Sequence, residues 1–385
     1  MGRTHTPSTR SKLLPKSTTA PDPSPLSNTF TSPPKSPNIS NAFSIQNDTP
    51  LQVDYTAIDT FCEKQPTTQR KATLSTETKL SLDPIRQAIR RVVVGKDEVI
   101  DLCLIGLLTG GHILLEDIPG VGKTTLAKAL ARCIGGTLSR LQFTPDLLPT
   151  DIVGVSIYNP KEGTFRFNPG PIFCHILLAD EINRASPRTQ SALLEAMGER
   201  QVSIDGKSRP LEAPFFVIAT QNPIDSHGTY PLPEAQLDRF TLRLSIGYPP
   251  TEEEKNILLG RGGTTRLETL EQVLTPQEVA QLQAHVQNIS IEESVVDYLM
   301  QLVKATRQHA AIRLGASPRG ALALLASARA HAFLNKRAFV LPQDIQSVAV
   351  ASLAHRLVLN TEARYEGTQQ HHVVEEIIKK TPVPR

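Results

Sequence analysis

The chain has 385 residues, of which 39% are apolar and 21% charged, so it is long enough for two domains with substantial cores and a tail. A formal charge of +3 is close to neutral for this length and argues against a dedicated nucleic-acid-binding protein. No run of about 18 apolar residues is present, and the chain start lacks an apolar secretory segment, so we expect no membrane span and a cytoplasmic location.

Residues 1–78 are predicted to be a disordered tail rich in serine, threonine and proline. The first 50 residues hold nine of the 30 prolines and 17 serines or threonines, with almost no aromatic side chain. Such a composition cannot bury enough apolar surface to offset the entropy of ordering the chain. A transit peptide is the alternative interpretation, which the dense prolines disfavour because they oppose an amphipathic targeting helix.

Residues 79–249 are predicted to form an α/β core. Apolar residues recur at helical spacing from Leu82 to Val92, a second helix is predicted over 97–109, and residues 112–116 are predicted as a short buried strand. After a glycine-rich loop, a helix is predicted over 123–134. Strands then alternate with helices to about residue 248, which is typical of a mostly parallel sheet covered by helices.

Two β-hairpins are predicted within this core. One spans residues 153–167, and the other has Asp205-Gly206 at its centre, a pair that suits a tight two-residue turn. The first hairpin carries three aromatic residues, Tyr158, Phe165 and Phe167. These side chains could either contact a client protein or fill a local core.

After Pro249-Pro250 the strand patterns end, and a helical lid domain is predicted over residues 250–361. Its amphipathic or alanine- and leucine-rich segments are 252–259, 276–287, 293–309, 318–334 and 342–357. Residues 362–385 are predicted to be a partly helical C-terminal tail. The predicted fold class is therefore an α/β core with a parallel sheet and hairpin insertions, followed by an all-α lid.

A glycine-rich loop at Ile118–Thr125 separates the first predicted strand from the following helix. Glycines allow backbone N–H groups to surround phosphate oxygens, and the helix N-terminus adds positive potential. The lysine of such a loop reaches the β- and γ-phosphates, and the next hydroxyl, here that of Thr124, binds Mg²⁺. The common pattern has glycine at the position of Asp117. We expect ATP to be bound by Pro119, Gly120, Val121, Gly122, Lys123, Thr124 and Thr125.

A second signal is the apolar run Ile176–Ala179, which ends in Asp180 and Glu181. At the end of a strand that points toward bound phosphates, one carboxylate can coordinate Mg²⁺ and another can polarise the attacking water. An acidic pair after a strand is also a common helix N-cap. Its position in the same α/β region as Lys123 favours the hydrolytic interpretation.

Two further polar residues follow predicted elements. Asn222 ends the apolar run that begins at Phe215, where its amide could orient water, although asparagine before proline also initiates turns. Arg239 lies at the end of a predicted helix. It could stabilise charge on a transferring phosphoryl group or simply be solvated.

Residues from about 80 to 360 resemble the MoxR family of AAA+ ATPases. Asp117 agrees with this resemblance, because the family commonly varies the first position of the phosphate loop. The motifs that carry the resemblance are Val93–Lys96, Leu114–Thr124, Gln142–Gly154, Phe167–Phe173, Asp180–Ala185, Ala219–Pro223, Pro233–Phe240 and Gly315–Gly320.

The resemblance implies roles for the residues that follow the strands. Asp180 is similar to the Walker B magnesium ligand, and Glu181 to the catalytic base. Asn222 resembles the first sensor residue of the family. The implied activity is the hydrolysis of Mg-ATP on a P-loop.

The resemblance also implies roles for two arginines. Arg239 resembles the arginine finger that reaches the ATP of a neighbouring subunit. Arg319, in the lid, resembles the second sensor, which contacts the nucleotide of its own subunit; helix capping or a carboxylate pair is its alternative role. Val94 and Gly95 are expected to lie near the adenine.

A finger supplied by a neighbour implies a homo-oligomeric ring, expected to be a hexamer, in which the ATP state moves the lid against the core. The resemblance further implies a chaperone-like activity on a client protein, including metal-centre maturation or a partner with a metal-binding adhesion domain. A nucleic-acid-associated AAA+ motor and the ATPase subunit of a metal chelatase are the alternatives. Lys161, Arg166 and Lys207 near the hairpins keep the first alternative open, whereas the segments around Phe143 and Asn183 disfavour the second.

Overall fold

The computed structural model describes residues 82–222, 229–262 and 266–384, so the predicted tail at residues 1–78 lies outside the described residues. The strands are β1 (Ile113–Glu116), β2 (Leu138–Gln142), β3 (Gly154–Asn159), β4 (Thr164–Pro169), β5 (Ile176–Asp180), β6 (Gln201–Ile204), β7 (Lys207–Pro210), β8 (Phe216–Gln221), β9 (Leu242–Leu244), β10 (Ile312–Leu314) and β11 (Val358–Leu359). The helices are α1 (Asp83–Val92), α2 (Asp97–Leu108), α3 (Lys123–Cys133), α4 (Pro149–Val153), α5 (Pro187–Glu199), α6 (Glu234–Leu237), α7 (Thr251–Leu258), α8 (Pro276–Gln287), α9 (Glu293–Gln308), α10 (Pro318–Leu334), α11 (Pro342–Leu353), α12 (Thr361–Tyr365) and α13 (Gln370–Lys380). Within the described ranges, none of the helices combines the length and the apolar character needed to cross a membrane.

A five-stranded parallel sheet forms the centre of the fold, in the order β2-β5-β8-β1-β9. Strand β5 is buried along its whole length, and β8 is buried except at its last residue. Parallel strands covered on both faces need the continuous apolar runs that these two sequences supply. We name the edge where β1, β5 and β8 end, at Glu116, Asp180 and Gln221, the carboxyl edge. The edge where β1 and β9 begin, at Ile113 and Leu242, is the amino edge.

Both predicted hairpins are present, as β3–β4 and β6–β7. In the second hairpin, Asp205 and Gly206 have φ values of 52° and 72°. A two-residue type I′ turn needs such left-handed conformations at both central residues, and a residue pair of this kind tolerates them. The sequence prediction of this turn is therefore confirmed.

The aromatic residues of the β3–β4 hairpin divide between the two interpretations. Tyr158 and Phe165 have ring centroids 5.3 Å apart and remain 52% and 74% exposed. Phe167 instead packs edge-on against Phe173, and the guanidinium of Arg209 lies 3.8 Å above its ring. Phe167 is thus partly buried between Phe173 and Arg209, whereas the other two rings are largely exposed to solvent.

The lid shares its apolar core with α1 and α2, the first two helices of the described residues. Helices α7 to α11 lie at the segments predicted for the lid, and β10 and β11 add a short antiparallel ladder to this largely helical region. Helices α8 and α10 pack against α2, and one continuous cluster of buried apolar side chains includes α1, α2 and the lid. Helix α13, in the predicted C-terminal tail, buries Val373, Val374 and Ile377 in the same cluster.

A buried ion-pair network stabilises the lid around Asp344. Its carboxylate accepts hydrogen bonds from both terminal nitrogens of Arg337 at 2.5 Å, and His331 Nδ1 lies 2.6 Å away. The backbone N–H of Leu341 donates to the same carboxylate at 2.7 Å. Burial alone would raise the pKa of Asp344, but these hydrogen bonds outweigh it and hold the pKa at about 2.

Replacing Asp344 by asparagine is expected to lower the free energy of unfolding by about 2 kcal/mol at pH 7. Because the folded-state pKa lies below the ordinary carboxyl value, this contribution is present above about pH 4 and is lost as the pH falls toward 2. Urea unfolding of both proteins at pH 7 and at about pH 3 measures the difference, with the exposed Asp297→Asn as control. A difference that stays constant between the two pH values would contradict this account.

Candidate active site

The loop after β1 has the conformation of a phosphate cradle. Gly120 and Gly122 have φ values of 89° and 96°, and a Cβ built on either meets no described atom within 4 Å. These conformations favour glycine, and the open space leaves the backbone accessible to a ligand. Helix α3 begins at Lys123 and contains Thr124 and Thr125 in its first turn, so its free N–H groups face this loop.

Asp117, where the loop departs from the common glycine, connects two parts of the site. Its buried carboxylate accepts hydrogen bonds from Ser245 Oγ at 3.0 Å and from the backbone N–H groups of Ile246 and Gly247 at 2.5 and 3.1 Å. Its backbone oxygen accepts one from Lys123 Nζ at 2.8 Å. Asp117 therefore fixes the segment after β9 to the phosphate loop and holds the lysine over the loop.

Replacing Asp117 by alanine is expected to lower the free energy of unfolding by about 2–3 kcal/mol, because two backbone N–H groups would lose their charged acceptor. Urea unfolding measures this loss. The exposed Asp297→Ala is the control and is expected to change stability by less than about 0.5 kcal/mol. Equal stability of the two variants would contradict a connecting role for Asp117.

Asp180 and Glu181 are joined through a buried hydroxyl of the neighbouring strand. Thr220 Oγ1, fully buried in β8, donates to Asp180 Oδ1 at 2.7 Å and accepts from the backbone N–H of Glu181 at 2.9 Å. Glu181 has a left-handed φ of 57°, which turns its side chain out of the strand direction. Thr220 was not among the predicted site residues, although its position two residues before Asn222, near the end of the same strand, could have indicated a place at the site.

Strand β2 supplies further partners that the sequence analysis missed. Arg140 Nη2 donates to Asp180 Oδ2 at 2.7 Å, and Gln142 Nε2 donates to Glu181 Oε2 at 2.9 Å. Arg184 Nε lies 3.1 Å from the same oxygen of Glu181. Residues 140 and 142 share a face of β2, and the register pairs Gln142 with Asp180. That strand pairing, rather than any local motif, brings these side chains to the acidic pair.

The predicted hydrolytic residues converge at the carboxyl edge. Burial lowers the pKa of Lys123, while the nearby carboxylates of Asp117, Asp180 and Glu181 oppose this shift. Asn222 follows β8, which lies between β1 and β5, so it belongs to the same edge. One ammonium, two carboxylates and an amide thus lie at the carboxyl edge of the sheet.

A cavity of about 260 Å³ adjoins the loop. Its walls include Val92–Val94, the loop itself and Ile257 of α7. Gly95 lies beside it, and a Cβ at this position would come within 2.6 Å of Pro250 Cγ. The largely apolar space next to the open cradle fits a nucleoside, and the cradle fits its phosphates.

The donor set at the carboxyl edge fits Mg²⁺. This ion prefers oxygen ligands and usually combines one or two protein groups with water and substrate phosphates. Asp180 offers a carboxylate there and Thr124 a hydroxyl. Among the described residues, no group of three or more His, Cys, Asp or Glu side chains is arranged to hold a metal ion.

Arg239 lies at the amino edge, on the opposite side of the sheet from the phosphate loop. It precedes β9, whose first residue, Leu242, pairs with Ile113 at the start of β1. Its guanidinium donates to the backbone oxygen of Leu194 in α5 at 2.9 Å. The four residues of β1, about 13 Å of extended chain, separate this edge from the loop.

Arg319 also lies toward the amino edge, close to the start of β1, and its predicted contact with the nucleotide of its own subunit stays a prediction. It belongs to the first turn of α10, where Ser317 Oγ donates to the carboxylate of Asp238 at 2.9 Å. Burial lowers the pKa of His112, just before β1, to about 4, and the charges of Arg200 and Arg319 act in the same direction. The sequence motif predicts that Arg319 belongs to the lid, whereas the position of its side chain relative to the sheet depends on how the lid packs on the core.

Comparison with known proteins agrees with this geometry. Residues 112–242 match the ATPase family associated with various cellular activities, and residues 304–377 match the AAA lid domain. The protein YeaC of Bacillus subtilis is 51% identical, and the match covers 77% of this chain and 92% of that protein. The chaperone MoxR1 of Mycobacterium tuberculosis is 42% identical, and the match covers 77% of this chain and 81% of that protein.

A solved structure of a protein assigned as an ATPase of Cytophaga hutchinsonii is similar in both sequence and fold. It is 38% identical to this chain with a TM-score of 0.75, and the match covers 83% of this chain and 98% of that one. The phosphate cradle, the strand-borne acidic pair and the lid therefore occur in a chain that matches these relatives over most of their length. The chain belongs to the MoxR family of AAA+ ATPases and is an ATP-hydrolysing enzyme.

Proposed function

We propose that this ATPase assembles into a ring, expected to be hexameric, and hydrolyses Mg-ATP to remodel or activate a client protein. The observation that carries the proposal is the separation of Arg239 from its own phosphate loop by the length of β1. An arginine finger at the amino edge reaches an ATP only across a subunit interface. Hydrolysis would then depend on assembly.

Within one subunit, the residues at the carboxyl edge divide the chemistry. Lys123 and the loop neutralise and hold the phosphates, and Glu181 accepts a proton from the attacking water, which Asn222 orients. Asp180 and Thr124 would hold Mg²⁺, which when bound would supply electrostatic stabilisation of the charge on the phosphoryl oxygens.

The client contact is proposed at the β3–β4 hairpin. Tyr158 and Phe165 are adjacent there and largely exposed, and aromatic side chains are enriched in protein contact surfaces. One relative carries the name chaperone, which supports remodelling as the result of ATP turnover. The family resemblance suggests a client with a metal centre or a metal-binding adhesion domain.

Specific ATPase activity is expected to rise with protein concentration, because each complete site needs two subunits. Steady-state phosphate release would be measured from nanomolar to micromolar protein, with sedimentation analysis at the same concentrations. Activity that follows the population of the assembly supports the shared site. A monomer with full specific activity would contradict it.

A further inference from the structure

A lid arginine is buried against the segment that carries Arg239. Arg356 ends the short 3₁₀ turn after α11, and its side chain is only 2% exposed. Its guanidinium donates to Asp238 Oδ1 at 2.8 Å and to the backbone oxygens of Phe240 and Thr241 at 2.7 and 3.2 Å. We name residues 238–241 the finger segment.

The start of α10 completes this contact. Ser317 Oγ donates to the second carboxylate oxygen of Asp238 at 2.9 Å and accepts from the N–H of Gly320 at 3.1 Å. A Cβ on Gly320 would lie 2.9 Å from Arg356 Cδ, so a glycine here leaves room for the buried arginine. Two separate parts of the lid therefore meet on one carboxylate of the core.

Such an arrangement constrains geometry more than it adds stability. A buried guanidinium is costly unless its donors are satisfied, and a buried ion pair often contributes little net stability. Here several acceptors belong to three residues of one short segment, Asp238, Phe240 and Thr241. The planar fork of arginine fixes their relative positions, which a lysine cannot do.

Arg239 lies between two of the residues that accept hydrogen bonds from Arg356. Asp238 precedes it and Phe240 follows it, and both bond to the Arg356 guanidinium. The Arg239 side chain crosses α5, where a Cβ on Gly198 would come within 2.5 Å of its Nη1. The backbone of the finger is thus set by the lid and its side chain by α5.

We propose that Asp238 and Arg356 are positioning residues that make the neighbour-directed action of Arg239 depend on the docking of the lid. This inference rests on the proposed function, in which Arg239 completes the site of the next subunit. The lid also reaches its own nucleotide cavity, which Ile257, Gly260 and Gly262 line. A change in lid docking at one site therefore alters hydrolysis at the next.

The test is Asp238→Ala, which removes the carboxylate and leaves every residue of its own ATP site unchanged. The expected kcat falls by at least about 10-fold, because a small misplacement of a catalytic group has a large effect on rate. The Kd for a fluorescent ATP analogue stays unchanged. Mixing with Glu181→Gln subunits restores turnover, because their intact finger serves the intact Glu181 of the Asp238→Ala subunits. Asp238→Asn, which keeps one acceptor oxygen for Arg356 and can donate its amide to Ser317 Oγ, retains kcat within about 3-fold.

Asp344→Ala is the matched control, since it disrupts a buried aspartate–arginine pair within the lid, away from the finger segment. It is expected to lose stability and keep its kcat below the unfolding temperature, with no gain on mixing. If Asp238→Ala does not assemble, Arg356→Lys replaces it, with the same expected loss and the same restoration.

Arg239→Ala, mixed with Glu181→Gln in the same way, distinguishes the shared ATP site from the positioning role of Asp238. Restoration of Arg239→Ala without restoration of Asp238→Ala would overturn the positioning role and leave the shared site standing. Failure of Arg239→Ala to be restored would overturn the shared site and the inference with it. Wild-type kcat in Asp238→Ala alone would also overturn the positioning role.

Discussion

Replacing Glu181 by glutamine is expected to lower kcat for ATP hydrolysis by about 100-fold or more while ATP stays bound. Glutamine keeps the shape of the side chain but cannot accept the proton of the attacking water. The loop and Lys123 are untouched, so the affinity for ATP is expected to remain within about 3-fold of wild type. Steady-state phosphate release and equilibrium binding of ATP measure the two quantities.

The exposed Glu293→Gln on α9 is the control for this substitution and is expected to have wild-type kcat. A variant at Glu181 that hydrolyses ATP within about 5-fold of wild type would exclude its role as general base. Loss of ATP binding together with turnover would instead assign Glu181 to the binding of the nucleotide.

Replacing Arg239 by alanine is expected to lower kcat by about 100-fold or more, because an arginine finger stabilises the charge of the transferring phosphoryl group. In an equimolar mixture with Glu181→Gln, one kind of interface joins an intact Glu181 to an intact Arg239. Random assembly makes about one quarter of the interfaces competent, so activity is expected to return to roughly that fraction of wild type. Phosphate release from the mixture, compared with each variant alone, measures the recovery.

Arg364→Ala, exposed on α12, is the control and is expected to neither lose activity nor respond to mixing. Arg239→Ala with undiminished kcat would remove the finger from the site. A large loss that mixing does not relieve would point to a defect within the subunit, such as the lost bond to Leu194.

The local parts of the fold could be predicted from the sequence. The α8 helix, Pro276–Gln287, was predicted with its observed bounds, because Thr275 caps it and accepts from the N–H of Glu278 at 3.2 Å. The phosphate loop was likewise signalled by glycines between an apolar strand and a helix. In each case the decisive interactions join residues close in the chain, so the local sequence pattern is enough to predict the element.

The non-local parts of the site could not be predicted in this way. Strand β2 alternates little, and nothing in its sequence tells that Arg140 faces Asp180, which depends on the pairing of β2 with β5. The position of Arg319 depends on the docking of a whole lid. No sequence motif indicates the role of Arg356, because its hydrogen-bond acceptors lie more than a hundred residues earlier in the chain.

The apolar cluster that runs from α1 and α2 into the lid has a thermodynamic consequence. Helices that share one core lose each other's contacts when either unfolds, so the lid, α1 and α2 are expected to melt together in a single calorimetric transition. A fragment that begins after Pro250 would leave the α8 and α10 surfaces that cover α2 facing water. The segment predicted as a lid domain is therefore expected to unfold together with α1 and α2, and expressed alone it is expected to self-associate.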